Sequence, residues 1–272
     1  MNRIEEKMAL LQKKKEKAFI TYLTAGLPDL DGTKALIKAQ EEAGVDVVEL
    51  GIPFSDPIAD GPVIQEASYQ SICRGTNLRS VFALMKEIRE EGVEIPVIFM
   101  MYYNTILNYG IEAFAAKCRE TGVDGLIVPD LPFEEQEELQ SALEPLEGAI
   151  LIQLVSPVSK ERVPMILKNA RGFVYCVSSM GVTGQAGIFH QEILKYLSYV
   201  KENAQIPVMM GFGIRTPKDI APMKDIIDGA IVGSYFIRLL EEHEYSIDAA
   251  KEYCRNFKQE LVLGGCCYED ND

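Results

Sequence analysis

The chain has 272 residues, a formal net charge of −14, 47% hydrophobic and 25% charged residues. These are globular proportions, which exclude disordered and fibrous classes. The acidic excess disfavours nucleic acid and anionic membrane surfaces as partners, since both present phosphate charge of the same sign. A chain this long makes either two ordinary domains or one large fold such as a (β/α) barrel, which takes about 250 residues.

In chain order, the first predicted element is a helix over Arg3–Lys15, with Lys13, Lys14 and Lys15 at the end where cations suit the helix dipole. The N-terminal stretch has no continuous apolar region, and no apolar run reaches about 18 residues. Neither a secretory signal nor a membrane span is expected, which predicts a cytoplasmic location. From Ala18 onward, short β-branched runs alternate with amphipathic stretches of helical length. Strands are predicted over Ala18–Leu23, Val45–Leu50, Ile95–Met101, Gly125–Val128, Ala149–Leu154, Phe173–Val177, Val208–Gly211 and Gly229–Val232. Helices fall between them over Thr33–Glu42, Leu78–Glu91, Gly110–Glu120, Glu134–Leu143, Glu161–Asn169 and Gln191–Glu202. The pattern predicts an α/β fold, a single (β/α)8 TIM barrel with an extra N-terminal helix. No linker divides it. The domain is expected to span 1–265, followed by a short, acidic, disordered tail over 266–272.

An internal echo supports repeating βα units. Ala43-Gly44-Val45-Asp46 and Thr121-Gly122-Val123-Asp124 each end a helix and open a strand, and Asp228-Gly229 is a weaker third copy. Glycine suits the position just past a helix, where φ is positive. The six cysteines (Cys73, Cys118, Cys176, Cys254, Cys266 and Cys267) form no C-x-x-C pair and read as reduced thiols, with no metal site expected.

Barrel chemistry sits at the C-terminal ends of the strands. There the second strand carries Glu49 among Val47, Val48, Leu50 and Ile52. A carboxyl in such surroundings is desolvated, which favours its protonated form and makes it a general acid near neutral pH. The following loop, Phe54–Pro62, holds Asp56 and Asp60, so a second carboxylate can reach the same mouth. The last two strands end in Gly211-Phe212-Gly213 and Gly233-Ser234, and the latter opens a helix. Glycine backbone and a helix N-terminus at these two positions predict a phosphate site. No lysine lies at a strand end to form a Schiff base, and His190 and His243 sit in polar, helix-like stretches, so imine and metal-dependent aldolase chemistries are disfavoured.

These motifs together resemble the tryptophan synthase α subunit family. The residues that carry the likeness are Thr21–Pro28, the long run Glu49–Pro62, Met101–Asn104, Gly125–Pro132, Gly172–Tyr175, Gly181–Gly184, Gly211–Ile214 and Val232–Ser234, in order along nearly the whole chain. The resemblance implies a lyase of tryptophan biosynthesis that cleaves indole-3-glycerol phosphate to indole and glyceraldehyde 3-phosphate by a retro-aldol reaction. It implies Glu49 and Asp60 as the catalytic pair and Tyr22, Met100, Tyr102, Tyr175, Thr183, Gly184 and Phe212 around the substrate. Gly213, Gly233 and Ser234 fall on the phosphate cup, and Asp56, Pro57 and Asn104 on loops facing a β subunit in an α2β2 assembly. No cofactor is implied in this subunit, with pyridoxal phosphate expected in the β partner. The chain departs from the family pattern at Gln185-Ala186-Gly187, where a nearby arginine is common, at Thr105, at Leu154–Ser159, and at Tyr235-Phe236. A stand-alone indole-producing lyase and a weakly catalytic, partner-activating barrel remain open alternatives.

Overall fold

Asn2 starts the fold by capping the first helix, α1 (Arg3–Lys14). Its side chain accepts from the Ile4 amide while Glu5 reaches back to the Asn2 amide, a reciprocal cap that fixes the helix start. The side-chain Nδ2 of Asn2 also donates to the carbonyls of Asp124 (2.7 Å) and Gly148 (2.8 Å), tying this end of α1 to the strands above it. In this computed structural model, residues 2–146, 148–177, 186–211 and 213–263 are described, with no side-chain description for 186–190 and 263. Thr183, Gly184, Phe212, Cys266, Cys267 and the 266–272 tail lie outside the described residues.

Nine parallel strands follow: β1 (Ala18–Thr24), β2 (Val47–Gly51), β3 (Val97–Met100), β4 (Gly125–Ile127), β5 (Ile150–Leu151), β6 (Gln153–Val155), β7 (Val174–Cys176), β8 (Val208–Met210) and β9 (Gly229–Val232). The helices after α1 are α2 (Leu30–Glu42), α3 (Pro62–Cys73), α4 (Leu78–Glu90), α5 (Tyr103–Tyr109), α6 (Ile111–Thr121), α7 (Glu137–Leu143), α8 (Val163–Leu167), α9 (Ala186–Asn203), α10 (Ser234–Glu242) and α11 (Ile247–Leu263). The sheet order is β5-β4-β3-β2-β1-β9-β8-β7-β6. Only Ile152 separates β5 from β6, so these are two halves of one barrel strand. The lower half pairs with β4 and the upper half with β7, which brings the ring round to closure. The architecture is therefore the expected TIM barrel with an added N-terminal helix, its fifth strand divided.

Two shells of apolar packing hold it. Alternate strand residues face the lumen, where Ile20, Val47, Ile98, Ile127, Phe173 and Ile231 meet Ile4, Met8 and Leu11 of α1, which plugs the bottom. The intervening residues, such as Val48, Phe99 and Val174, pack outward against Leu36, Phe82, Phe114, Leu197 and Phe236 of the helices. Strands buried on both faces read as continuous apolar runs, which is why they are legible in the sequence.

The internal echo has two physical causes. Gly44 and Gly122 adopt φ of 88° and 71°, the left-handed conformation expected past a helix end. Each following aspartate ties down the preceding strand. Asp46 accepts from the Phe19 amide at 2.8 Å, Asp124 from the Val97 amide at 2.8 Å and Asp228 from the Val208 amide at 2.7 Å. Lys258, Arg89 and Lys201 respectively neutralise the three acids. In the third copy the glycine serves packing instead: a Cβ on Gly229 would lie 2.6 Å from the Ala18 carbonyl oxygen.

Some boundaries differ from the sequence reading. α9 starts at Ala186 rather than Gln191, so the helix begins five residues earlier than expected. The helix expected over Glu161–Asn169 is a 3-10 turn, Pro157–Arg162, followed by the five-residue α8, because Pro164 lacks an N–H and disfavours a helical conformation before it. α3, α5 and α11 were not anticipated. Cys118, Cys176 and Cys254 are buried free thiols, and Cys73 is an exposed one.

Candidate active site

The C-terminal end of the barrel opens into a cavity of about 690 Å³, within the usual range for small-molecule sites. Strand alternation places its walls. Tyr22 of β1 and Ile98 of β3 are the register partners of Glu49 in β2. Glu49 thus occupies a lumen position of the kind that Val47 fills one step lower. Met100, Ile127, Leu154, Tyr175 and Ile231 contribute further wall from their strands, and Gly211, Gly213, Gly233 and Ser234 line the side formed after β8 and β9.

Glu49 is 1% exposed, and among the described residues both its carboxylate oxygens lack a hydrogen-bond partner. Burial first, and then the charge of Asp60, push its pKa up to about 8. The acid is therefore protonated at neutral pH, as the apolar run Val47–Ile52 suggested. Asp60 is less buried. Its Oδ2 accepts a 2.9 Å hydrogen bond from the Tyr102 hydroxyl, and its pKa rises by burial to about 6, moderated by that bond. The two acids are thus held apart in protonation, Glu49 neutral and Asp60 ionised near pH 7.

The Phe54–Gly61 loop that carries Asp60 is fastened at several points. The Tyr102 hydroxyl accepts from the Ala59 amide at 3.0 Å, and its ring stacks on Phe54 with centroids 5.0 Å apart. Ser68 of α3 both accepts from the Phe54 amide and donates to the Phe54 carbonyl. Gln65, also on α3, donates to the Asp60 carbonyl at 2.9 Å. Pro62 at the first turn of α3, where a missing N–H is harmless, starts this supporting helix directly after the loop.

Glycines admit the two tyrosine rings. A Cβ on Gly51 would sit 2.0 Å from the Tyr22 hydroxyl oxygen, and one on Gly211 would sit 2.1 Å from the Tyr175 ring. Gly211→Ala is expected to push the Tyr175 ring into the cavity, raise KM, and lower stability by about 1–3 kcal/mol, as overpacking does. A denaturant titration beside steady-state kinetics checks both effects; unchanged kinetics would show that the ring has another place to go.

The glycines of the last two strands form an open recess. Gly213 has φ of 68° and nothing within reach of a Cβ, and Gly233 is the N-cap of α10 without a side-chain cap. Backbone amides at glycine and the positive helix end suit an anion. Asp56 is exposed on the loop after β2 and Asn104 in the first turn of α5, just after β3, on the same face as the cavity, with Pro57 partly exposed and Ile58 82% exposed. Sequence reasoning did not identify Ile64, Ile127, Leu154, Ser156, Ser159, Arg215 or Arg238 as cavity lining. Ile64, Ile127 and Leu154 are apolar residues indistinguishable in sequence from core, and the two serines and two arginines read as ordinary loop or surface.

A second cavity of about 730 Å³ lies at the opposite end, over Met8, Leu11 and Met209. Its lining carries four lysines and four acids, and among the described residues none of those acids is buried without a partner, so the larger volume does not mark the chemistry. Among the described residues no cluster could hold a metal ion, and no helix is long and apolar enough to cross a membrane.

Comparison with known proteins bears on the fold as a whole. The family model described as tryptophan synthase alpha chain matches residues 8–262. The tryptophan synthase alpha chain of Lachnospira eligens is 61% identical over 262 residues, covering 96% of this chain and 99% of that protein. That of Alkaliphilus metalliredigens is 42% identical, covering 97% and 100%. The crystal structure of tryptophan synthase subunit alpha from Legionella pneumophila superposes with a TM-score of 0.87 at 32% identity, covering 97% of this chain and 99% of that one. With this likeness running through almost the whole barrel, the chain belongs to the tryptophan synthase alpha chain family.

Proposed function

We propose that the barrel mouth cleaves indole-3-glycerol phosphate with Glu49 as the proton-transferring acid and Asp60 as the charge-stabilising carboxylate. The family's reaction, a carbon–carbon lyase step of tryptophan biosynthesis giving indole and glyceraldehyde 3-phosphate, is this chain's activity. The observation that carries the residue roles is the buried Glu49 carboxyl, without any partner, facing the cavity that Asp60 also lines.

The steps follow from those two protonation states. Neutral Glu49 gives its proton to C3 of the indole ring, which leaves a positive charge shared with the ring nitrogen. Ionised Asp60 accepts a hydrogen bond from the ring N–H and stabilises that charge. The bond from C3 to the glycerol chain then breaks, its electron pair returning to the ring, while Glu49, now a carboxylate, takes the proton of the adjacent hydroxyl as the aldehyde forms. Glu49 ends as it began. Burial favours the neutral acid at the start and makes the ionised form a stronger base midway. Because these carboxylates supply the acid, the base and the charge stabilisation, the reading needs no cofactor in this subunit. Tyr22, Met100, Tyr102 and Tyr175 contribute apolar wall for the indole, and Gly213, Gly233 and Ser234 receive the phosphate; Thr183, Gly184 and Phe212 complete the site in this reading.

The chain pairs with a tryptophan synthase β subunit. We place Asp56, Pro57 and Asn104 at that contact in an α2β2 assembly, with pyridoxal phosphate in the β subunit and the complex in the cytoplasm. A partner that binds only the closed arrangement of the Asp60 loop raises the competent fraction by its differential affinity. Indole release from indole-3-glycerol phosphate is expected to be slow for the isolated chain and at least about tenfold faster with its β subunit, an effect of the size of ordinary coupling energies. Full activity without the partner would favour a stand-alone lyase instead.

A further inference from the structure

We propose that Arg215 and Arg238 form a side-chain clamp on the substrate phosphate, bracketing the glycine recess from two sides. This rests on the phosphate reading of that recess. Among the described residues, these two arginines are the only cationic side chains lining the catalytic cavity. The cavity already holds two acidic groups, Glu49 and Asp60, in a chain of net charge −14. A phosphate dianion brought there loses hydration and faces repulsion, and backbone amides alone offer only partial charges against it.

Placement supports the pairing. Arg238 lies four residues after Ser234 on α10, hence on the same helix face. Helical side chains tilt toward the N-terminus, so a long side chain at this position runs back toward the recess at the helix start. Arg215 follows Gly213 by two residues on the other side. Its backbone is fixed while its side chain is not. The Arg215 amide donates to Asp219 Oδ2 at 2.9 Å, and the Tyr253 hydroxyl donates to the Arg215 carbonyl at 2.8 Å.

Both guanidinium groups are also uncommitted. Among the described residues neither forms an ion pair or a side-chain hydrogen bond, whereas Arg3, Arg89, Arg162 and Arg171 each engage a carboxylate. Arg238 acts on Glu241 of the same helix only through its charge. Guanidinium matches phosphate oxygens in a bidentate fashion, which a point charge does not. The segment Gln185-Ala186-Gly187 carries no cation, so the clamp supplies the side-chain charge that this segment lacks.

The test measures binding of inorganic phosphate and of glycerol 3-phosphate by calorimetry, at low and high salt. It compares the wild-type chain with Arg215→Gln, Arg238→Gln, the double variant and Gly213→Val, alongside cleavage kinetics with the β subunit present. Each single variant is expected to weaken glycerol 3-phosphate binding about 5- to 20-fold, the range for exposed charge-assisted hydrogen bonds. The double variant should lose more and show a flatter salt dependence, with most of the fall in kcat/KM appearing in KM. If the double variant binds within twofold of wild type while Gly213→Val binds weakly, the clamp is wrong and the recess stands. If Arg substitution lowers kcat without changing affinity, the role is structural and the proposal is overturned. If wild type binds neither phosphate nor glycerol 3-phosphate at millimolar concentration, the recess reading fails and takes the clamp with it.

Discussion

Glu49→Gln is expected to lower indole release about 10²–10⁴-fold, the usual worth of a positioned general acid–base. Glutamine keeps the shape but cannot hand over a proton at C3 or recover one from the hydroxyl. The pH dependence gives a second handle. With Glu49 raised to about 8 and Asp60 to about 6, kcat/KM should rise through pH 6 as Asp60 ionises and fall through pH 8 as Glu49 loses its proton. The two groups interact, so these limbs belong to the pair. Stability depends on the same group. A carboxyl whose pKa rises from 4.5 unfolded to about 8 folded binds its proton more tightly in the native state, so between those values the fold loses stability as pH increases. Glu49→Gln removes that loss, on the order of 3 kcal/mol at pH 7. The variant should therefore melt higher than wild type, increasingly so toward pH 8. Single-turnover assays and thermal melts at several pH values check both halves. A variant with over half the wild-type rate, or a melting difference independent of pH, would remove Glu49 from its assigned role.

Asp60→Asn is expected to cost about 10²–10³-fold in the cleavage step, the range for one preorganised electrostatic contact to a developing charge. The amide still offers an oxygen to the ring N–H, but no longer a negative charge. Tyr102→Phe should act in the same direction and more weakly, because it releases both the Asp60 carboxylate and the Ala59 amide while leaving the charge in place. It should also raise the acidic limb of the pH profile, since the hydroxyl's bond holds the Asp60 pKa down. Rate-against-pH curves for both variants, taken with saturating β subunit, separate lost charge from lost position. An acidic limb that stays put in Tyr102→Phe would mean that the hydroxyl does not tune Asp60.

What the sequence made legible follows from what each residue must satisfy locally. Glu49 stood out because an acid inside Val47–Ile52 contradicts its neighbours, and the structure places it in the lumen without a partner. Strands buried on both faces could be read as apolar runs, and the glycines past α2 and α6 as helix ends. The lining role of Ile127 and Leu154 was not legible, since an inward wall residue and a core residue share the same chemistry until the strand's position in the ring is known. Arg215 and Arg238 were hidden for a different reason: a lone arginine near a turn or on a helix reads as ordinary surface. The aspartates of the echo looked like strand openers, but their bond to the preceding strand is a long-range fact. α3 was obscured because Gly61-Pro62 reads as the close of a loop, although proline also opens helices.

The divided fifth strand has a consequence for how the pocket admits its guest. β1 and β2 stay paired from Ile20 and Val47 to Thr24 and Gly51, and β3 continues the pairing on the other flank of Glu49. Across the lumen, β5 shares two paired residues with β4, and β6 leans on β7 instead. Local opening is cheapest where backbone pairing is sparsest. Leu154 and Val155, paired with Tyr175 and Cys176 of β7, border the cavity with Ser156 in this arc, where the β8–β9 pairing is as short as that of β4 and β5. The proton donor is thus held in the arc of the ring with the longest pairing, and the wall across from it belongs to the arc where local opening costs least.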